Sequence, residues 1–226
     1  MIEFYAIENL LNFVCAFFSI VISFLILKKD SKNWLNISLF TVFFFWSLNV
    51  FFYGLTSFPT DIVILNLVRD INVTFGIAAA VSLYVASQMM REGTVETLKA
   101  QKQIFFFGIA FVLIIISILN DKVILDNGEA IITTEITAAL TIFLIPGFIA
   151  FLGLLEFYRI RKEIIEPIIR RRILMFIGGL SCLIAGAVIF GLGNLLETNN
   201  PLLDLYPALI LWAIGPIIVL YGFQKN

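Results

Sequence analysis

The sequence predicts an all-α fold, a polytopic membrane bundle of seven transmembrane helices with the N-terminus outside and the C-terminus in the cytoplasm. Three observations predict this class. Of the 226 residues, 61% are hydrophobic and 14% are charged, whereas a soluble domain is roughly half apolar and a quarter charged. The apolar residues form continuous runs and do not alternate as in membrane strands. The basic residues lie in every second connection, which sets the orientation.

Seven apolar runs have the length of a membrane span. A bilayer core about 30 Å thick needs about 20 mainly apolar residues for each helix. The runs are Asn9–Leu27, Trp34–Phe58, Ile62–Ser87, Ile104–Leu119, Ile131–Tyr158, Ile173–Leu195 and Tyr206–Phe223. The connections between them are short and leave no room for a soluble domain. We therefore expect a single transmembrane domain over residues 1–226, placed in the cell membrane as a multi-pass protein.

The distribution of charge predicts the orientation. Of the 15 Lys and Arg residues, all except Arg69 and Lys122 lie on the side that holds the C-terminus. The opposite side carries mainly acidic residues: Glu3, Glu8, Asp61, Asp121, Asp126, Glu129, Glu197 and Asp204. Because loops rich in Lys and Arg stay in the cytoplasm, the C-terminus is predicted to be cytoplasmic. An odd number of spans is required for this alternation.

The third span contains the most unusual local feature, the adjacent pair Arg69 and Asp70, with Asn66 one turn before them. Ionisable groups inside a membrane cost several kcal/mol unless they are paired or hydrated. The pair is therefore predicted to face the bundle interior or a vestibule open to the outside. It acts either as a polar clamp between helices or as a contact for a ligand or ion, and snorkelling toward the interface is a third reading.

Three further residues complete a predicted outward-facing pocket. Asn49 and Tyr53 share one face of the second span, and Glu135 lies near the outer end of the fifth. Glu135 is either a charge favoured by the helix dipole or a counter-charge for Arg69. The candidate ligand-binding set is Asn49, Tyr53, Asn66, Arg69, Asp70 and Glu135.

Two proline sites predict kinks in the later spans. Pro146 and Gly147 lie near the middle of the fifth span, and Gly215 and Pro216 near the middle of the seventh. Proline removes a backbone donor and clashes with the preceding turn. Each site is either a static kink or a hinge at which a helix pivots when a ligand binds.

The sixth span and the loop before it carry two more signals. Gly178, Cys182 and Gly186 recur at four-residue spacing, which predicts close helix packing. Glu156 is expected to pair with Arg159 at i+3. The loop Arg159–Arg172 is the most basic stretch of the chain and is predicted to contact anionic lipid headgroups or a cytoplasmic signalling protein.

Composition also excludes several classes. The chain has no histidine, the commonest general base and metal ligand, so we expect no enzymatic activity, no metal site and no cofactor. A retinal protein needs a lysine in the seventh span for its Schiff base, and Tyr206–Phe223 contains none. The net charge of −1 gives no reason to expect a nucleic-acid partner.

The second and third spans carry a resemblance to a known family. The aromatic stretch Phe44–Leu55, which includes Trp46, is followed after a short turn by the polar start of the next helix, Leu65–Asn72. This pattern resembles the seven-helix sensor region at the N-terminus of many prokaryotic histidine kinases. The sequence ends at Asn226 with no kinase domain. The resemblance therefore implies a stand-alone sensor that signals through a separate protein.

The predicted function is thus a receptor-like membrane sensor that binds a small ligand in an outward-facing pocket and relays the change to a cytoplasmic partner. The alternative is a small secondary transporter or channel subunit. The intramembrane pair Arg69 and Asp70 and the two broken helices favour that alternative, whereas no internal repeat of the transporter kind is visible in the sequence.

Overall fold

The computed structural model describes residues 2–56, 58, 61–126, 129–134, 140–195 and 205–224. Most of these residues are helical. The helices are α1 (Ile2–Lys29), α2 (Trp34–Leu55), α3 (Ile62–Glu92), α4 (Thr94–Thr97), α5 (Ala100–Asn120), α6 (Ile145–Glu163), α7 (Pro167–Leu195) and α8 (Leu205–Gln224). A two-stranded antiparallel hairpin, β1 (Asp121–Asp126) and β2 (Glu129–Thr134), follows α5, and a π-helical turn, Leu140–Leu144, leads directly into α6.

Within the described ranges, six helices are long and apolar enough to cross a membrane: α1 from Asn9, α2, α3, α5, the π turn with α6, and α7. The predicted seventh span corresponds to α8, whose apolar part, Tyr206–Gly222, is shorter than the others. The helices therefore define an all-α bundle of the multi-pass membrane type.

Several predicted span boundaries differ from the ends of the observed helices. The third span continues past Ser87 to Glu92, and the sixth begins at Pro167 rather than at Ile173. The predicted fifth span began at Ile131, but Ile131–Thr134 belongs to β2, where Ile131 pairs with Ile124. Hydropathy does not distinguish these β-branched residues from a helix, although they favour a strand when a partner strand lies nearby. Glu135 lies outside the described residues.

The helices form a closed ring. Neighbours in contact are α1 with α2, α2 with α3, α3 with α6, α6 with α7, α7 with α8, and α8 with α1. The main hydrophobic core lies inside this ring, and Phe43, Phe157 and Leu180 are at its fully buried centre. α5 packs outside the ring, against α3 and the π turn, and Ser117 Oγ donates to Thr141 Oγ1 across that contact at 3.0 Å.

The two ends of the bundle differ in chemistry. We call the end that holds the hairpin and the start of α3 the hairpin end, and the opposite end, which holds Arg91 and Arg159, the basic end. At the basic end, Lys99 hydrogen-bonds Glu96 at 2.5 Å and holds the pKa of that carboxyl below its ordinary value. Lys102 pairs with Glu92 and thereby ties the start of α5 to the end of α3.

Glu156 joins two helices at the basic end. Its Oε1 accepts hydrogen bonds from Arg159 at 2.6 Å, which confirms the predicted pair, and from Arg91 of α3 at 3.0 Å. The Glu156 side chain is only 10% exposed, whereas Arg91 and Arg159 are 53% and 64% exposed. The Glu156 carboxylate therefore holds α6 to α3 through Arg91, and it also pairs with Arg159 within α6.

We expect Glu156→Gln to lower the thermal unfolding midpoint of the purified protein, because the neutral amide lacks the charge that strengthens the hydrogen bonds from the two guanidinium groups. The loss is about 1 kcal/mol, since solvent screens both arginines. The matched control is Glu163→Gln on the exposed end of the same helix. Equal shifts in the two variants, measured in the same detergent, would contradict the role assigned to Glu156.

Candidate functional site

A cavity lies inside the ring. Its volume is about 110 Å³, and its wall is built from α2, α3, the π turn, α6, α7 and α8. The wall includes Asn49, Tyr53, Arg69, Pro146 and Gly147. Residues predicted from separate spans to form a pocket or a hinge therefore meet at one place. Small-molecule sites have a similar lining, mostly apolar with a few polar groups.

The polar part of the wall joins α2 to α3. Asn72 Nδ2 donates to the backbone carbonyl of Asn49 at 2.6 Å, and Asn49 Nδ2 donates to the backbone carbonyl of Asn72 at 2.7 Å. Arg69 Nη1 donates to Asn72 Oδ1 at 3.1 Å. Arg69 and Asn72 are each only 4% exposed. Asn49 and Asn72 therefore form a polar clamp between α2 and α3, and Arg69 bonds to it from within α3. Because all three residues line the cavity, the clamp and the candidate site are one structure. A clamp through the pair Arg69 and Asp70 stays a prediction.

Gly76 makes room for this clamp. A Cβ atom at position 76 would lie 2.8 Å from Asn49 Nδ2, closer than ordinary van der Waals contact. Asn72 and Gly76 share a face of α3 one turn apart. Both are site residues that sequence reasoning missed, and their spacing after Arg69 on one helical face was the available signal.

An aromatic cluster around Trp212 forms another part of the wall, between α2, α7 and α8. The Trp212 ring centroid lies 5.7 Å from those of Trp46 and Phe190 and 6.1 Å from that of Tyr53. Trp212 Nε1 donates to the Leu183 carbonyl at 3.2 Å. Tyr53 belongs to the predicted pocket, and the structure places both Tyr53 and Trp46 inside the ring. Trp212 and Phe190 are further wall residues that the sequence did not reveal.

The other predicted site residues lie elsewhere. Asn66 Nδ2 donates to the Ile62 carbonyl of its own helix at 3.0 Å. Neither Asn66 nor Asp70 lines the cavity. The Asp70 backbone carbonyl accepts from Thr74 Oγ1 at 2.8 Å. Glu135 is outside the described part of the chain, so its pairing with Arg69 stays a prediction.

The two proline sites differ from each other. Pro146 lies in the first turn of α6, directly after the π turn, where a missing N–H is tolerated. It therefore marks the change from π to α geometry. Pro216 is inside α8, and Gly215 packs against the Gly179 carbonyl away from the cavity. Only the Pro146–Gly147 site touches the cavity wall.

The wall combines a few polar groups with a largely apolar surface. It presents one guanidinium, two amides and an aromatic cluster on an otherwise apolar surface. Within the described ranges, no group of three or more His, Cys, Asp or Glu residues is placed to hold a metal ion. Neither protein-family models nor curated proteins match this chain.

Proposed function

We propose that this chain is a receptor-like membrane sensor that binds a small ligand in the central cavity and relays the change to a separate cytoplasmic protein. The observation that carries the proposal is the cavity wall itself. A buried polar clamp on α2 and α3 faces the π turn and Pro146 at the start of α6. A ligand that fills this space therefore contacts both the α2–α3 clamp and the irregular start of α6.

α6 provides the relay. From Gly147 in the cavity wall to Glu156 at the basic end, the helix runs about 14 Å along its axis. The Glu156 carboxylate is the contact that holds this end of α6 to Arg91 of α3. Movement of α6 at the cavity therefore changes the separation between α3 and α6 at the basic end.

We propose in addition that the chain crosses the membrane seven times, with the N-terminus outside. α8 serves as the seventh span, the hairpin end faces the outside of the cell membrane, and the basic end faces the cytoplasm. The positions of Lys and Arg support this orientation. The basic segment Arg159–Arg172, predicted as a loop, comprises the end of α6, a short connection and the start of α7. Together with the end of α3, it then forms the contact surface for a signalling protein. The resemblance to sensor regions of histidine kinases supports the same assignment.

A thermal screen in lipid nanodiscs tests the binding step. A panel of small metabolites and fatty acids is scored by the rise in unfolding midpoint of the unmodified protein. We expect active compounds to lose their effect in Ala150→Phe, which fills the cavity, and to keep it in Ala185→Phe, which projects from an exposed position of α7. Compounds that stabilise both variants equally would place the binding elsewhere and contradict the proposal.

The relay step is tested with spin labels. Val95→Cys and Glu163→Cys, in a background that lacks Cys15 and Cys182, place labels on exposed positions of α4 and α6. We expect a compound from the screen to shift the distance between these labels, and Glu156→Gln to shift it without a compound. An unchanged distance with a bound compound would contradict the relay.

Transport is the second candidate function, favoured by the buried Arg69 and by the break in α6 before Pro146. Buried ionisable residues and interrupted helices recur at the substrate sites of transporters. Uptake of a compound from the screen into sealed liposomes, lost in Ala150→Phe, would establish transport. Binding without uptake would favour the sensor.

A further inference from the structure

Asn49 offers the cavity a hydrogen-bond acceptor. Its Nδ2 donates to the Asn72 backbone carbonyl at 2.7 Å, and this bond fixes which end of the amide is the oxygen. That oxygen, Oδ1, accepts no hydrogen bond from the described residues, whereas both ends of the Asn72 amide are bonded, to Arg69 and to the Asn49 backbone. Because Asn49 is half-buried and lines the cavity, a ligand can use its Oδ1.

Two aromatic rings flank this acceptor on α2. Trp46, Asn49 and Tyr53 lie at i, i+3 and i+7, so they share one face of the helix. Along the helix axis, Asn49 is about 4.5 Å from Trp46 and about 6 Å from Tyr53. The Trp212 ring meets the rings of Trp46 and Tyr53 nearly edge-on, at interplanar angles of 81° and 84°, and Phe190 meets Tyr53 at 80°. Aromatic rings favour this arrangement, so a ligand ring can extend the cluster beside the Asn49 oxygen.

The cavity has room for about one ring. Its volume is about 110 Å³, and an apolar cavity of about 150 Å³ in another protein binds benzene. The wall on α3, α6 and α7 includes small residues that leave this room: Gly76, Ala79, Ala80, Gly147, Ala150 and Ala187. The size therefore favours a compound with a single ring.

The wall also favours a ligand without charge. The described lining residues include no Asp or Glu, and Arg69 is the one cation among them. A cationic ligand would therefore lack a counter-charge and would be repelled by the guanidinium. An anion would need that guanidinium as its partner, but Arg69 is only 4% exposed and already bonds to Asn72. A neutral ligand needs only the Asn49 acceptor and the aromatic cluster.

We propose that the cavity binds an uncharged compound of the phenol class, a single aromatic ring with one hydroxyl group. The ring packs against Trp46, Tyr53 and Trp212, and the hydroxyl donates to Asn49 Oδ1. A buried hydroxyl needs such a partner, because an unpaired polar group is costly away from water. This inference rests on the proposed function, since it names the ligand class of the same cavity.

Fluorine NMR with para-fluorophenol tests the proposal on the protein in lipid nanodiscs, with empty nanodiscs as the control for partition into lipid. We expect a protein-dependent broadening of the fluorine signal that unlabelled phenol reverses, and no such broadening in Ala150→Phe. The methyl ether, para-fluoroanisole, should bind about fivefold more weakly, because it has the same ring but no donor. The anionic para-fluorobenzoate and the cationic para-fluorobenzylamine should bind more weakly still.

Variants separate the hydroxyl from the ring. In Asn49→Leu, or in Asn49→Ala if the first does not fold, the preference for the phenol over the ether should disappear. The matched control is Thr41→Val on the same helix, where Thr41 Oγ1 donates to the Ser38 carbonyl away from the cavity wall. This control should keep the preference. Phe190→Leu should weaken the phenol and the ether by the same factor, because it removes a ring and leaves the acceptor.

Each other outcome overturns the proposal in a defined way. Equal binding of the phenol and the ether, or a preference that survives the loss of the Asn49 amide, removes the hydrogen bond. Tighter binding of the benzoate or the benzylamine than of the phenol makes the ligand charged. If the phenol does not bind while other compounds lose their effect in Ala150→Phe, the ligand class is wrong and the sensor proposal stands. If no compound loses its effect in Ala150→Phe, both are wrong.

Discussion

Asn72→Leu is expected to lower the stability of the folded bundle by about 2–4 kcal/mol, because it removes two hydrogen bonds at once from a buried site. The Asn72 amide accepts from the Arg69 guanidinium and donates to the Asn49 carbonyl across the α2–α3 contact. Leucine leaves a guanidinium that is 4% exposed without that acceptor. The quantity to measure is the free energy of unfolding, obtained by adding a denaturant to the protein in detergent micelles.

Thr74→Val is the control for this prediction. Thr74 lies on the same helix and donates within that helix, to the Asp70 carbonyl, so its loss should cost less than about 0.5 kcal/mol. A double variant of Asn49 and Asn72 adds a second criterion. Because the two amides form one reciprocal pair, the double variant should cost less than the sum of the single variants. Additive losses would show that the amides act independently.

This polar clamp also marks the limit of what the sequence could predict. An arginine seven residues into an apolar span is costly unless partnered, so the interior position of Arg69 follows from its location alone. The residue that bonds Arg69 cannot be predicted in the same way. The Asn49–Asn72 pair depends on the register between α2 and α3, which is set by side-chain packing such as the space that Gly76 leaves. The sequence predicted that Asn49 and Arg69 line one pocket, but it did not predict that Asn72 bonds to both of them.

The aromatic wall and the hairpin show a different limit. Tyr53 was predicted to face the pocket, but its contact with Trp212, and that of Trp46, depends on the position of α8. Residues Ile131–Thr134 are as apolar as the helix that follows, and only pairing with β1 reveals a strand. The contact with Trp212 comes from a part of the chain that is distant in the sequence. The strand pairing comes from the neighbouring segment β1, but the hydropathy of residues 131–134 does not reveal it.

The close contact between α7 and α8 gives the largest expected effect. Gly179→Val should abolish stable folding or cost at least about 3 kcal/mol, because the new Cβ atom would lie 2.5 Å from the Gly215 backbone carbonyl. A carbonyl in a helix cannot rotate away as a flexible side chain can. The two helices would have to separate, and with them Leu183 and Trp212, which close the cavity on this side.

Gly178→Val is the matched control, with the same substitution one residue earlier on the same helix. A Cβ atom at position 178 meets only Ile218 Cγ2, at 3.9 Å, which is ordinary contact. We expect the control to fold with an unfolding midpoint close to that of the unmodified protein. Similar losses in both variants would mean that valine is poorly tolerated throughout α7. A loss confined to Gly179 would identify α7 and α8 as one rigid unit, and would leave α6, which begins with an irregular turn, as the wall that moves.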